Sequence, residues 1–205
     1  MSDMTRREYD KLYSGYVGID ESGRGTAAGE LYFVGCRMKP EYDVSEISWV
    51  DDSKKTKHEH RVAQAKKLKP FVEYKVAKAT AKEIDDLGLS FCIKRCLTEI
   101  RDHFSDSKII YDGNTSYKVE GIETIVKGDT KVSLIACASI FAKLLKDKDA
   151  ERMHNDYPEY SFITHSGYVN ALHTEMIIEH GYCPYHRKSY NIKKLQGHNI
   201  KSNIR

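Results

Sequence analysis

No stretch of this chain approaches the length of a membrane span, and Met1 to Lys11 are polar and charged, without the apolar core of a secretory signal. No internal repeat or low-complexity run is present, which argues against solenoids and compositionally biased tracts. Cys36, Cys92, Cys96, Cys137 and Cys183 contain no CxxC pair, and no His or Cys partners recur at zinc-ligand spacing. Their odd number and apolar neighbours indicate reduced, buried thiols in a cytosol-like compartment. A large charge of one sign is missing as well: 33 Lys and Arg against 30 Asp and Glu leave only +3. Such a chain is expected to meet its substrate in solution and to carry a local basic face rather than a basic whole. Its 205 residues fit one domain, or one domain with a small C-terminal extension.

What is present is organised around Tyr16-Val17-Gly18-Ile19-Asp20-Glu21-Ser22-Gly23-Arg24-Gly25. A short apolar strand runs into two adjacent carboxylates, and a tight turn with two glycines around an arginine follows. A strand end is a rigid place to hold charge, and paired acids there suit a divalent cation. Gly-Arg-Gly lets backbone N–H groups come close to a ligand while offering one guanidinium. Together these point to phosphodiester chemistry. Taken alone, the same residues also describe an ordinary strand and a solvated turn.

The remaining elements follow in order. Residues 1–15 read as a polar lead-in. Strands are expected at Tyr16–Asp20, Gly29–Met38, Phe71–Ala79, Lys108–Asp112 and Glu123–Val126. A basic helix that Ser53 or Thr56 could cap follows and ends near Leu68. Thr80-Ala81-Lys82-Glu83 has capping-box spacing for a short helix ending near Gly88, and Ser90 to about Phe104 is amphipathic. Asp112-Gly113 is a second strand end that carries an acid; a plain Asp-Gly turn is its simpler reading. Val132 to about His154 is the longest helical pattern, and its small apolar first half is suited to burial against a sheet. A last helix is expected to run to about His180. Cys183–Tyr190 interleaves aromatics with cations, a pattern suited to nucleic acid. Residues 191–205 lack apolar periodicity and read as a flexible basic tail.

Several of these segments together resemble the type 2 ribonuclease H family. Gly18–Gly25 is similar to its Asp-Glu-Ala-Gly-Arg-Gly signature, Asp52-Ser53-Lys54-Lys55 to its Asp-Ser-Lys-Lys segment, and Glu83-Ile84-Asp85 to its Glu-Ile-Asp. Asp112-Gly113 matches its third acid. Gly128–Lys131, Ala138–Lys143 and Lys146-Asp147 resemble its buried helix and fourth acid. His165–Tyr168 and His186–Tyr190 match its late motifs, so the likeness spans residues 16–190. Three positions depart from it: Ser22 stands for Ala, Thr26 for Pro, and Gly29-Glu30 for Gly-Pro.

The resemblance implies an α/β fold: a ribonuclease H-like mixed β-sheet flanked by helices over residues 16–155, with a small helical C-terminal part over 156–190 completing the substrate site. It implies that Asp20, Glu21, Asp112 and Asp147 hold two Mg²⁺ or Mn²⁺ ions, with Asp129 or Asp149 as the alternative to Asp147. One ion would activate a water and the other would stabilise the leaving 3′ oxygen. By the same resemblance the substrates are the RNA strand of RNA–DNA hybrids and ribonucleotides embedded in duplex DNA, cut on the 5′ side to leave a 5′-phosphate and a 3′-hydroxyl. Gly23, Arg24 and Gly25 would sense the ribose 2′-OH, and Tyr168 would read the junction with the next sugar. Ser53, Lys54 and Lys55 belong to the substrate side, and Lys54 and Lys55 would hold phosphates, as would Lys131, Lys143, His186 and Arg187. His165, His173 and His180 are expected to be structural. The tail shows no clear sliding-clamp motif, and a cytoplasmic monomer is the expectation. Two competing readings are a junction resolvase of the same superfamily and a catalytically silent hybrid-binding protein; a 2′-OH sensor argues against the first and retained acids against the second.

Overall fold

The apolar run ahead of Asp20 becomes the middle strand of a five-stranded sheet. In the computed structural model, which describes residues 4–50 and 56–200, the strands are β1 (Val17–Ser22), β2 (Leu31–Met38), β3 (Val72–Ala79), β4 (Ile109–Asp112) and β5 (Ile122–Ile125). Their order is β3-β2-β1-β4-β5. β1 and β4 run parallel, with Val17 opposite Ile109 and Ile19 opposite Tyr111; β4 and β5 are also parallel. The turn between β1 and the adjacent β2 is shorter than the roughly dozen residues a parallel crossover needs, so these two are antiparallel and the sheet is mixed. The five expected strands all form, each within a residue or two of the predicted bounds.

The helices are α1 (Arg6–Leu12), α2 (His58–Leu68), α3 (Ala81–Leu87), α4 (Leu89–His103), α5 (Gly128–Lys131), α6 (Ser133–Asp156), α7 (Phe162–His165) and α8 (Ala171–His180) among the described residues. None is long and apolar enough to cross a membrane. α3 starts at the predicted capping box, with Thr80 and Glu83 bonding reciprocally. The small residues of α6 let it lie directly on β1: a Cβ added to Gly18 would sit 2.6 Å from the backbone of Leu134 and Ile135. α4 packs on β2 in the same manner, since a Cβ on Gly35 would meet Ile100 at 2.5 Å.

The chain divides into two compact units. The first comprises Met1–Ser22, Phe33–Ala77 and Ile93–Leu144, and the second Gly23–Tyr32, Lys78–Cys92 and Leu145–Arg205. The turn after β1 therefore groups with the C-terminal part, a partition different from the contiguous one read from sequence. Bonds across long sequence separations make it so: Lys146 Nζ donates to the Ala28 carbonyl at 3.1 Å and Arg187 Nη2 to the Gly29 carbonyl at 2.9 Å. In this second unit Tyr160, Phe162, Ile177 and Cys183 form a core with Ile192 and Leu195. The start of the supposed flexible tail is thus packed. At the other end, the polar lead-in holds α1, closed by a Thr5–Glu8 capping box.

Candidate active site

β1 and β4 are parallel, so their acid-bearing ends lie at the same edge of the sheet. Gly18 and Asp20 share one face of β1, the face covered by α6. Ile135 meets Gly18, and Ser139, one helical turn further on, bonds the Asp20 side chain. Continuing the β1–β4 register sets Asp112 beside Asp20. Asp112 Oδ1 also accepts the Gly128 N–H at 2.9 Å, which ties the end of β4 to the single turn of α5 and to Asp129 within it. Asp20, Asp112 and Asp129 consequently each offer a carboxylate oxygen within 4.8 Å of the others. Glu21 accepts from the Tyr111 hydroxyl at 2.8 Å, and its own N–H donates to Asp20 Oδ1 at 2.8 Å.

This arrangement is electrostatically costly without a cation. Burial, then the charges of Glu21 and Asp112, push the Asp20 carboxyl well above the usual carboxylate range, against the opposing bonds from Ser139 and the Glu21 N–H. Clustered hard oxygens that repel one another fit a divalent cation such as Mg²⁺ or Mn²⁺, whose charge removes the repulsion.

In the second unit the Gly23-Arg24-Gly25 turn is fixed by its backbone. Gly23 has φ +91°, and a Cβ there would fall 2.6 Å from the Glu30 carbonyl, so only glycine fits. Thr26 closes the turn by donating its hydroxyl to the Gly23 carbonyl at 3.0 Å. Tyr190 Oη and Arg187 Nη1 both donate to the Arg24 carbonyl, at 2.8 and 3.2 Å. Arg24 and Gly25 remain exposed. Tyr168, which is 48% exposed, lies against Gly25: a Cβ added to Gly25 would stand 3.9 Å from Tyr168 Cε1. The Ala27 N–H holds the Gly167 carbonyl at 2.8 Å, fixing the Tyr168 loop on the turn.

The other predicted residues divide by burial. Arg187 is fully buried, and its guanidinium donates to the Gly29 and Arg24 carbonyls and to Tyr190. His186 is buried too, with Nε2 3.1 Å from His173 Nε2; burial, then His173, lower its pKa to about 3. Neither presents a cation to solvent. His165 and His173 bond the Tyr160 and Tyr168 carbonyls, as structural histidines do. Lys131 and Lys143 are half-buried, and the Lys131 ammonium lies 5.8 Å from the Tyr9 ring centroid. Asp149 is committed to Lys146, Arg152 and the Glu30 N–H. Asp147 lies on α6 within the second unit and is not part of the three-acid group. Ser53, Lys54 and Lys55 fall outside the described residues.

The model of the family described as Ribonuclease HII matches residues 17–193. The chain belongs to the ribonuclease HII family. A Ribonuclease HII from Campylobacter concisus is 41% identical over 176 residues, which is 86% of this chain and 92% of that relative. The fold is similar to the crystal structure of ribonuclease H2 from Pyrococcus horikoshii OT3, with a TM-score of 0.69, 23% identity, and coverage of 86% of this chain and 93% of that one. It is also similar to Bst-RNase HIII in complex with Mn²⁺, with a TM-score of 0.66, 17% identity, and coverage of 83% of this chain and 63% of that one. As a ribonuclease HII the protein is an enzyme with ribonuclease H activity.

Two residues that bond the clustered acids are not singled out by the sequence as site residues. Ser139 is the polar residue facing β1 from an otherwise apolar stretch of α6, and Tyr111 is the strand residue just before the third acid. A hydroxyl placed within an apolar run is the available clue for both. The departure at Glu30 also has a local reason. Where the family has proline, Glu30 uses its N–H to reach Asp149 at 2.8 Å, and its carboxylate accepts from Tyr32 at 2.6 Å.

Proposed function

We propose that this ribonuclease HII cleaves the RNA strand of RNA–DNA hybrids and the 5′ side of ribonucleotides embedded in duplex DNA, with Asp20, Glu21, Asp112 and Asp129 holding two Mg²⁺ or Mn²⁺ ions. The convergence of Asp20, Asp112 and Asp129 within 4.8 Å carries this reading and favours Asp129 over Asp147 as the fourth acid. When bound, the cations would supply a nucleophile at neutral pH and stabilise charge on the leaving oxygen. Asp20 is oriented by Ser139 and by the Glu21 N–H, and Glu21 by Tyr111, so neither ligand has to be ordered on binding. Asp112 is similarly held by the Gly128 N–H.

Sugar selection is assigned to the second unit. The exposed Arg24-Gly25 part of the Gly23-Arg24-Gly25 turn and the Tyr168 ring against Gly25 support joint reading of a 2′-hydroxyl and the sugar that follows it. The buried Arg187 supports the turn from beneath by fixing its carbonyls. Lys131 and Lys143, with Lys54 and Lys55, are proposed to hold phosphates, while Arg187 acts through the turn it stabilises and the buried His186 through its packing on His173.

The test is a duplex bearing one ribonucleotide, incubated with Mg²⁺ or Mn²⁺ beside all-DNA and four-way-junction controls. Cleavage only at the ribonucleotide, leaving 3′-hydroxyl and 5′-phosphate ends, is expected. Cleavage of the four-way junction alone, or binding without cleavage, would overturn the assignment.

A further inference from the structure

We propose that Asp10 is a positioning residue for the metal seat: its carboxylate, supplied by α1 ahead of the family-matched residues 17–193, fixes the α5–α6 junction and thereby the aim of Asp129. The inference rests on the reading of Asp129 as a metal ligand.

Asp129 sits on a single helical turn. One turn fixes several dihedrals for very few hydrogen bonds, so it has little stability of its own and must be held at its ends. The entry is held by the Gly128 N–H on Asp112. At the exit the Val132 N–H returns to the Gly128 carbonyl at 2.8 Å, and the chain passes directly into α6 at Ser133. Ser133 is fully buried, and the residue before it, Val132, has no side-chain acceptor with which to cap the helix.

Asp10 fills that place from far along the chain. Oδ1 accepts the Ser133 N–H at 2.7 Å, and Oδ2 accepts the Ser133 hydroxyl at 2.7 Å. Asp10 is itself 5% exposed. A carboxylate at the start of a 24-residue helix is favoured by the unpaired N–H groups there and by the helix dipole. Its neighbour Tyr9 lies under the Lys131 ammonium, so α1 grips the chain on both sides of Val132. α1 is in turn anchored by its Thr5–Glu8 capping box and by Arg6 Nη1 donating to the Val50 carbonyl at 2.7 Å. All of these groups lie in the first unit, together with Asp20 and Asp112.

The experiment measures Mn²⁺ binding to the metal-free full chain by the loss of the free-ion electron paramagnetic resonance signal. Asp10→Ala, Asp10→Asn, Ser133→Ala and Asp129→Asn are compared with the unaltered protein, and each is also melted thermally. Asp10→Ala is expected to weaken Mn²⁺ binding about tenfold, as loss of a residue that orients a metal ligand does. The Mn²⁺ concentration for half-maximal cleavage rises in parallel, and the rate at saturating Mn²⁺ falls by less than the affinity does. Asp10→Asn keeps an acceptor for the Ser133 N–H and recovers part of the affinity. Should Asp10→Ala not fold, Asp10→Asn and Ser133→Ala carry the same measurement with milder loss. Unchanged Mn²⁺ affinity in the folded Asp10 variants, even with a lower melting temperature, would reduce Asp10 to a helix cap and overturn the proposal. Wild-type Mn²⁺ binding by Asp129→Asn would instead remove the reading beneath it.

Discussion

His173 and His186 meet through Nε2 atoms 3.1 Å apart inside the second unit, a contact that two protonated rings could not sustain. Burial first, then the neighbouring imidazoles, lower His186 to about 3; burial lowers His173 to about 4, from an ordinary value of 6.5. In the unfolded chain both take up protons near 6.5. Their contribution to stability is therefore complete above that pH and is lost as pH falls from 6.5 towards 4 and 3. Melting temperature measured from neutral to mildly acid pH should decline, and His173→Gln should flatten that decline; a profile identical to wild type would contradict the assignment. Tyr168, by contrast, is an exposed ring. Tyr168→Ala should slow cleavage at an embedded ribonucleotide by about tenfold or more without lowering the melting temperature, since a lost stacking contact acts on the substrate alone. At this scale the sequence was informative about residue types and less so about their tasks. Arg187 reads as a phosphate contact because it lies among aromatics and cations, and only its burial shows that its donors are taken by backbone carbonyls.

Among the elements, the contact of α6 with β1 does most to build the site, because Gly18 allows the approach that places Ser139 on Asp20. Gly18→Ala would insert a Cβ 2.6 Å from helix backbone that has no room to yield. It should cost about 1–3 kcal/mol in urea unfolding and lower Mn²⁺ affinity together with stability. A neutral result would mean that helix and strand are more loosely packed than described. The five strands were legible because each is a short apolar run bounded by turn residues. α1 was read only as a polar lead-in, because its Thr5-Arg6-Arg7-Glu8 capping box lacks the apolar periodicity that normally accompanies one. α5 was not legible, since four residues are too few to show a period. That gap explains the uncertainty over the fourth acid. Asp129 precedes the long helix in an apparent loop, and the tertiary placement of β4 beside β1 is what brings it to Asp20.

For the whole molecule, a net charge of +3 cannot by itself attract a duplex strongly, so substrate binding must depend on local cations. Affinity for a hybrid should fall as salt rises, and Lys143→Ala should lessen the slope of that fall while leaving the position of cleavage unchanged. A shifted cleavage position would make Lys143 a specificity residue. The division into two units was not visible along the sequence, because it is set by bonds such as Lys146 to Ala28 and Arg187 to Gly29 between distant residues. On the proposed reading, the acids of the first unit hold the cations and the turn of the second selects the sugar. The most direct test is the single-turnover cleavage rate of Asp129→Asn and Asp147→Asn, side by side at saturating Mn²⁺ on a duplex with one ribonucleotide. Asp129→Asn should lose roughly a thousandfold or more while Asp147→Asn retains most of its rate. Near-normal cleavage by Asp129→Asn, with loss in Asp147→Asn, would contradict the metal seat formed by Asp20, Asp112 and Asp129.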